Sequence, residues 1–202
     1  MKTLKIIIAL ILLATTPALA QRSQLRLNFN YTVATPTSGL KDYVEDASWR
    51  GWTANLLYGV TDKLSVGLGV GFHDFYQKYP RAVYQLESGG HISAVLSNSL
   101  QAIPILASVQ YNFLPEARIQ PYVGTGIGGN IIIYNQYIGE FSNNQSNFGF
   151  ALRPEAGVYV PIGYRGFGVN LNGIYNYMPY NKNNLDNINS WGVGLGVRFS
   201  LR

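Results

Sequence analysis

Eight stretches of the chain alternate with a period of two residues, apolar on one parity and small or polar on the other. That is the pattern of strands with one apolar face. They run from about Gln24 to Val33, Trp49 to Val60, Leu64 to Phe72, Leu100 to Phe113, Ile119 to Ile133, Phe148 to Val160, Phe167 to Tyr177 and Trp191 to Leu201. The last is the cleanest, with Trp191, Val193, Leu195, Val197, Phe199 and Leu201 set against Gly192, Gly194, Gly196 and Arg198. Most reach the roughly 9–11 residues that a tilted strand needs to cross a bilayer. The connections alternate in length. Residues 61–63, 114–118 and 161–166 are short and rich in turn formers, whereas 35–48, 73–98, 134–147 and 178–190 are long and polar. Short turns at one end and long loops at the other predict an all-β, eight-stranded antiparallel transmembrane up-and-down β-barrel.

Alternation alone also fits a soluble barrel with its apolar face inward. The polar parity argues against that. A water-facing strand carries Lys, Glu and Thr, but these positions are mostly Gly, Asn, Ser and Gln, which suit the crowded inside of a narrow barrel. The bulky parity is what lipid contact requires, and a closed barrel gives every backbone N–H and C=O a partner in lipid. Aromatic residues gather at both strand ends, as two membrane interfaces demand. Tyr31, Trp49, Trp52, Phe72, Tyr175, Tyr177 and Trp191 lie near the long loops, and Tyr58, Phe113, Tyr164, Phe167 and Phe199 near the turns.

Composition agrees. The chain of 202 residues is 47% hydrophobic but only 12% charged, against about 25% charged in soluble domains. It has no cysteine, which excludes disulfides. Residues 1–20 read as an export signal: Lys2 and Lys5, the apolar run Ile6 to Leu13, and the small-x-small site Ala18-Leu19-Ala20. The run is too short to span a membrane as a helix. A mature domain over residues 21–202 is therefore expected. The net charge of +5 is too weak to suggest a nucleic-acid partner.

Three segments carry a family resemblance: Pro121-Tyr122-Val123-Gly124-Thr125-Gly126-Ile127-Gly128, Arg153-Pro154-Glu155-Ala156-Gly157-Val158, and Trp191-Gly192-Val193-Gly194-Leu195-Gly196-Val197-Arg198-Phe199. They resemble the barrel strands of small outer-membrane proteins of the OmpX, OmpW and OmpA type, and as a pattern the resemblance covers essentially all of residues 21–202. It implies residence in the bacterial outer membrane, contact with outer-membrane lipid and lipopolysaccharide, and insertion by the barrel-assembly machinery. Such proteins usually end in an aromatic residue that this machinery reads. Here Phe199 is followed by Ser200, Leu201 and Arg202, a departure from that signal. The peptidoglycan-binding domain that follows the barrel in OmpA-type proteins is not expected.

An eight-stranded barrel is just wide enough inside for side chains or one small ligand. The inward parity includes Arg26, Tyr122, Arg153, Glu155 and Arg198. Arg26 and Arg198 fall on strands that meet at closure, so they should lie close together and need an anion. Glu155 is the clear inward carboxylate. The expectation is a lumen network in which Glu155 forms ion pairs with Arg153, Arg198 and Arg26, completed by Asn and Tyr hydrogen bonds. Such a network serves as a structural plug. The alternative is a narrow channel for small solutes, which the inward glycines favour by making room.

A third possibility is a lipid-modifying enzyme. The two histidines, His73 next to Asp74 and His91 near Ser88 and Ser93, are expected outside the regular barrel. Adjacent strand residues point to opposite faces, so no catalytic site, metal site or cofactor is expected. The working surface is expected in the loops, chiefly Tyr76, Lys78, Tyr79, Arg81 and Tyr84 in the second, with a solvated acidic group, Asp42, Glu45 and Asp46, in the first. The role that follows is structural or one of surface interaction, with the oligomeric state left open.

Overall fold

The computed structural model describes residues 24–37, 39–85, 91–138, 141–163, 166–182 and 185–201. The expected signal segment, Tyr164 and Ser88 lie outside the described residues. The elements are β1 (Leu25–Pro36), α1 (Gly39–Tyr43), β2 (Ser48–Gly59), β3 (Leu64–Lys78), β4 (Ala82–Gln85), β5 (His91–Ala94), β6 (Leu96–Asn112), β7 (Gln120–Ile138), β8 (Phe141–Ile162), β9 (Phe167–Asn176), β10 (Asn181–Lys182), β11 (Leu185–Asp186) and β12 (Ser190–Leu201). Eight of them close into one antiparallel barrel in the order β1-β12-β9-β8-β7-β6-β3-β2. The seam pairs β1 with β12 from Leu25↔Leu201 to Pro36↔Ser190. Two small hairpins, β4–β5 and β10–β11, stand outside the barrel sheet.

The faces point as the alternation predicts. Leu68 is 66% exposed and Val193 61%, while Asn28, Asn30, Asn55, Asn170 and Asn172 are buried. Aromatic pairs mark both rims. Tyr175 packs on Trp191 at 4.6 Å toward the long loops, and Phe167 on Phe199 at 5.3 Å toward the turns. Among the described residues no helix is long and apolar enough to cross a membrane; the crossing is made by strands.

The strands are of two lengths. β1, β2, β9 and β12 have 10–12 residues, whereas β3, β6, β7 and β8 have 15, 17, 19 and 22. The segments 73–98 and 134–147, expected as loops, are therefore largely strand. The reason is a reversal of polarity along one continuous pleat. Ile103, Ile131 and Phe148 are register partners on the outward parity. One step further out, that parity carries Gln101, Ile133 and Ser146, and the next step Ser99, Asn135 and Asn144. The inward parity changes in the opposite sense, to Phe75, Leu100, Ala102, Ile132 and Tyr134, all buried.

Within lipid the barrel is polar inside and apolar outside. Where it leaves lipid it becomes an ordinary water-facing sheet around an apolar core. The emergent part of β6, β7 and β8 is six or seven residues deep, roughly 20 Å along the strands.

That outer cup is closed from above. Leu40 of α1, Val44, Met178, Tyr180 and Ile188 join Phe75, Leu100, Ile132 and Tyr134 in one apolar cluster. Tyr43 stacks on Tyr134 at 5.0 Å and donates to the Asn135 carbonyl at 3.3 Å. Burial, reinforced by the Tyr134 contact, pushes the Tyr43 phenol well above its ordinary pKa. Asn189 clips the two covering loops together, its carbonyl accepting from Thr37 N and its side chain from Met178 N, both at 2.9 Å. The long loops at 35–48 and 178–190, read as polar connections, thus supply the lid of the barrel.

Candidate functional site in the barrel lumen

Below the lid the lumen is crossed twice by arginine. Arg153 starts on β8 and donates through Nη2 to Asn55 Oδ1 of β2 at 3.0 Å. Arg198 starts on β12 and donates to Asn28 Oδ1 of neighbouring β1 at 2.8 Å and to Gln110 Oε1 of β6 at 3.4 Å. In an eight-stranded ring β8 faces β2, and β12 faces β6, so each guanidinium spans the full bore. The glycine rows make these spans possible. A Cβ on Gly69 would lie 3.0 Å from Arg153 Nη2, and one on Gly71 3.2 Å from Nη1. The room that favoured a channel in the sequence is taken up by a side chain.

Around the bars sits a layer of amides and rings. Tyr122 donates to Asn170 Oδ1 at 2.9 Å, and Asn170 donates to Asn30 Oδ1 at 2.7 Å. The Arg198 guanidinium lies 4.3 Å over the Tyr159 ring and 5.4 Å from that of Tyr122. Arg26 sits one step nearer the turns, with Arg26↔Ser200 and Asn28↔Arg198 in register. The structure thus brings Arg26, Tyr122, Arg153, Glu155 and Arg198 into one lumen.

It does not join them as expected. Among the described residues the ion pair within 4.0 Å is Arg50 to Asp74 at the outer rim, at 3.4 Å. Glu155 lies against Gly124 and the Asn172 side chain and makes no direct pair with Arg26, Arg153 or Arg198. Arg153 and Glu155 share a face of β8 two residues apart, and the glycine pocket on β3 draws Arg153 across the bore instead of down the strand. The arginines are held by amide oxygens and aromatic faces, with the Glu155 carboxyl nearby in the same lumen. Losing a directly paired, buried partner costs about 3–5 kcal/mol. Glu155→Gln is expected to cost less than about 2 kcal/mol, because the hydrogen bonds to Asn55, Asn28 and Gln110 stay intact. Urea unfolding of the refolded variant beside the wild type measures this.

The histidines also move from their expected places. His73 is not outside the barrel: it is fully buried on the inner face of β3, stacked at 6.3 Å on Phe75, with no partner among the described residues for either ring nitrogen. Asp74 faces the other way, accepting from Ser99 Oγ at 3.1 Å and pairing with Arg50. His91 and Ser93 are exposed on β5. The adjacent His–Asp pair is therefore split between interior and rim.

The second-loop residues divide as well. Tyr76 is exposed under Arg50, 5.6 Å from its guanidinium, and Lys78 and Arg81 are exposed. Tyr79 donates to the Tyr43 carbonyl at 3.3 Å, so it helps hold the lid. Tyr84 belongs to β4, and its side chain lies outside the described residues. Asp42, Glu45 and Asp46 are exposed around α1.

Residues 6–199 match the family described as outer membrane protein beta-barrel domain. Among solved structures, the chain is similar to Neisserial surface protein A, with 17% identity, a TM-score of 0.60, and coverage of 90% of this chain and 100% of that one. The N-terminal β-barrel domain of Pseudomonas aeruginosa OprF gives 15% identity and a TM-score of 0.48 over 89% and 100% of the two chains. Outer Membrane Protein W of E. coli gives 17% and 0.47 over 90% and 99%. At such identities the likeness to Neisserial surface protein A shows the fold alone. No curated protein matches the chain.

Proposed function

The chain belongs to the family of outer membrane protein β-barrel domains, and from that premise we propose that it is a sealed barrel whose work lies at the outer surface. Its lumen holds a plug, and its longer strands hold a rigid platform above the lipid. One observation carries this reading: the reversal of polarity on β6, β7 and β8 above the layer of Ile103, Ile131 and Phe148. A strand that ended at the membrane would have no use for an apolar inner face there. A water-facing sheet around its own core needs one. Tyr76, Lys78 and Arg81 decorate the same side and offer contacts to a surface partner.

The proposed partners of the belt are outer-membrane lipid and lipopolysaccharide, the proposed route of insertion is the barrel-assembly machinery, and the export signal is proposed to be removed after Ala20. The role involves no catalysis, with His73 sealed away from Asp74. A narrow channel would require both arginine bars and the apolar lid to move.

The absence of cysteine makes introduced cysteines unique reporters. In intact cells a membrane-impermeant maleimide is expected to label Asn144→Cys and to leave Leu195→Cys, on the lipid belt, unlabelled. Labelling of position 144 only after the cells are opened would refute the platform.

A further inference from the structure

At the turn end of the barrel a cavity of about 170 Å³ opens below the Arg198 bar. Arg26 and Arg198 reach it from adjoining strands, and Gln24, Gln120, Tyr159 and Ser200 complete its polar lining. Among the described residues no carboxylate lines it. Asp62, whose charge acts on Arg26, stands outside the cavity and beyond ion-pair distance. Two of the three guanidinium nitrogens of Arg198 are tied to Asn28 and Gln110, and the third is left over for the cavity. Among the described residues the Arg26 guanidinium makes no hydrogen bond and no ion pair.

Two cations held side by side in a low-dielectric mouth repel each other, and structure that holds them there without a protein counter-charge favours an anion between them. We propose that this inner mouth is a binding site for a small oxyanion, phosphate or carboxylate, entering from the side of the short turns. The fork of a guanidinium matches both anions in two parallel hydrogen bonds. Gln24, Gln120 and Ser200 supply neutral donors. The cavity volume is that of about six liquid waters, room for one such ion with part of its hydration shell and too little for a bulky ligand. The site does not depend on the sealed-lumen reading, since it lies below the bars.

The test uses protein refolded in a maltoside detergent, which carries no phosphate, with ¹⁵N-labelled arginine. Phosphate and, separately, acetate are titrated in at constant ionic strength made up with chloride. Saturable shifts of the Arg26 and Arg198 Nε signals are expected with at least one of them. Response to phosphate alone assigns a phosphoryl group, and equal response to acetate assigns a carboxylate such as a chain end. Arg26→Gln is expected to weaken binding about tenfold, the loss of one charge-assisted contact. Arg26→Lys, which keeps the charge and loses the fork, should fall between. Both variants replace a residue at the mouth, outside the two cross-lumen bars, and their urea midpoints are read alongside. Shifts that stay linear to the end of both titrations, or an affinity unchanged in Arg26→Gln, would overturn the site.

Discussion

Phe75→Ala is expected to lower the stability of the refolded protein by about 3–5 kcal/mol, the usual cost of truncating a buried phenylalanine in a packed core. Phe75 is 1% exposed. It belongs to the cluster that unites the emergent strands with Leu40, Val44, Met178 and Ile188 of the lid. The loss should be uneven. The lipid-embedded half keeps its ladder and its arginine bars, so amides of residues 96–102 and 132–138 should exchange with solvent faster, while those of β1 and β12 stay protected. Urea unfolding gives the magnitude and hydrogen exchange gives the place. Uniform loss of protection around the ring would mean that the cup and the barrel are one cooperative unit.

Gly196→Ala is expected to impair closure, and Gly173→Ala is expected to do nothing measurable. A Cβ on Gly196 would run into the backbone of β1, against the Phe29 carbonyl and 2.5 Å from Asn30 Cα. The β1–β12 seam must then open locally, at a cost of about 1–3 kcal/mol by analogy with overpacked cores, with a lower yield of folded barrel. On neighbouring β9 a Cβ on Gly173 would meet only the Ala156 carbonyl, at 4.0 Å. The pair separates close approach from a general effect of glycine in strands. Refolding yield judged by protease resistance, followed by urea unfolding, is the readout.

The transmembrane part of this fold was legible in the sequence because its pattern keeps one sense. From Leu64 to Phe72, or from Trp191 to Leu201, bulky residues fall on one parity and glycine, serine or arginine on the other, and the barrel, its facing and its strand order follow. The outer cup was not legible for the same reason turned round. At Phe72-His73-Asp74-Phe75 the apolar parity changes sides without any break in the strand, and a reading that follows one parity ends the strand there. Leu40, Val44 and Ile188 sit among polar neighbours with no periodicity, and only the closed ring gives them a common place.

The lumen was half legible. Inward parity identified Arg26, Tyr122, Arg153, Glu155 and Arg198, but opposite charge suggested the wrong partners. Which residue an arginine reaches across a barrel depends on where the opposite wall has glycines, and Gly69 and Gly71 became meaningful only once β3 was placed near the facing wall from β8. The sequence alone did not single out that wall, since Gly67, Gly69 and Gly71 are matched in number by Gly124, Gly126 and Gly128 and by Gly192, Gly194 and Gly196.

The measurement that bears most directly on the sealed lumen is ion conductance of the refolded wild-type protein in planar bilayers. With Arg153 and Arg198 spanning the bore under an apolar lid, the expected record stays at the level of the bare membrane at either polarity. Steady unitary steps of reproducible size would contradict the seal and make the protein a small channel.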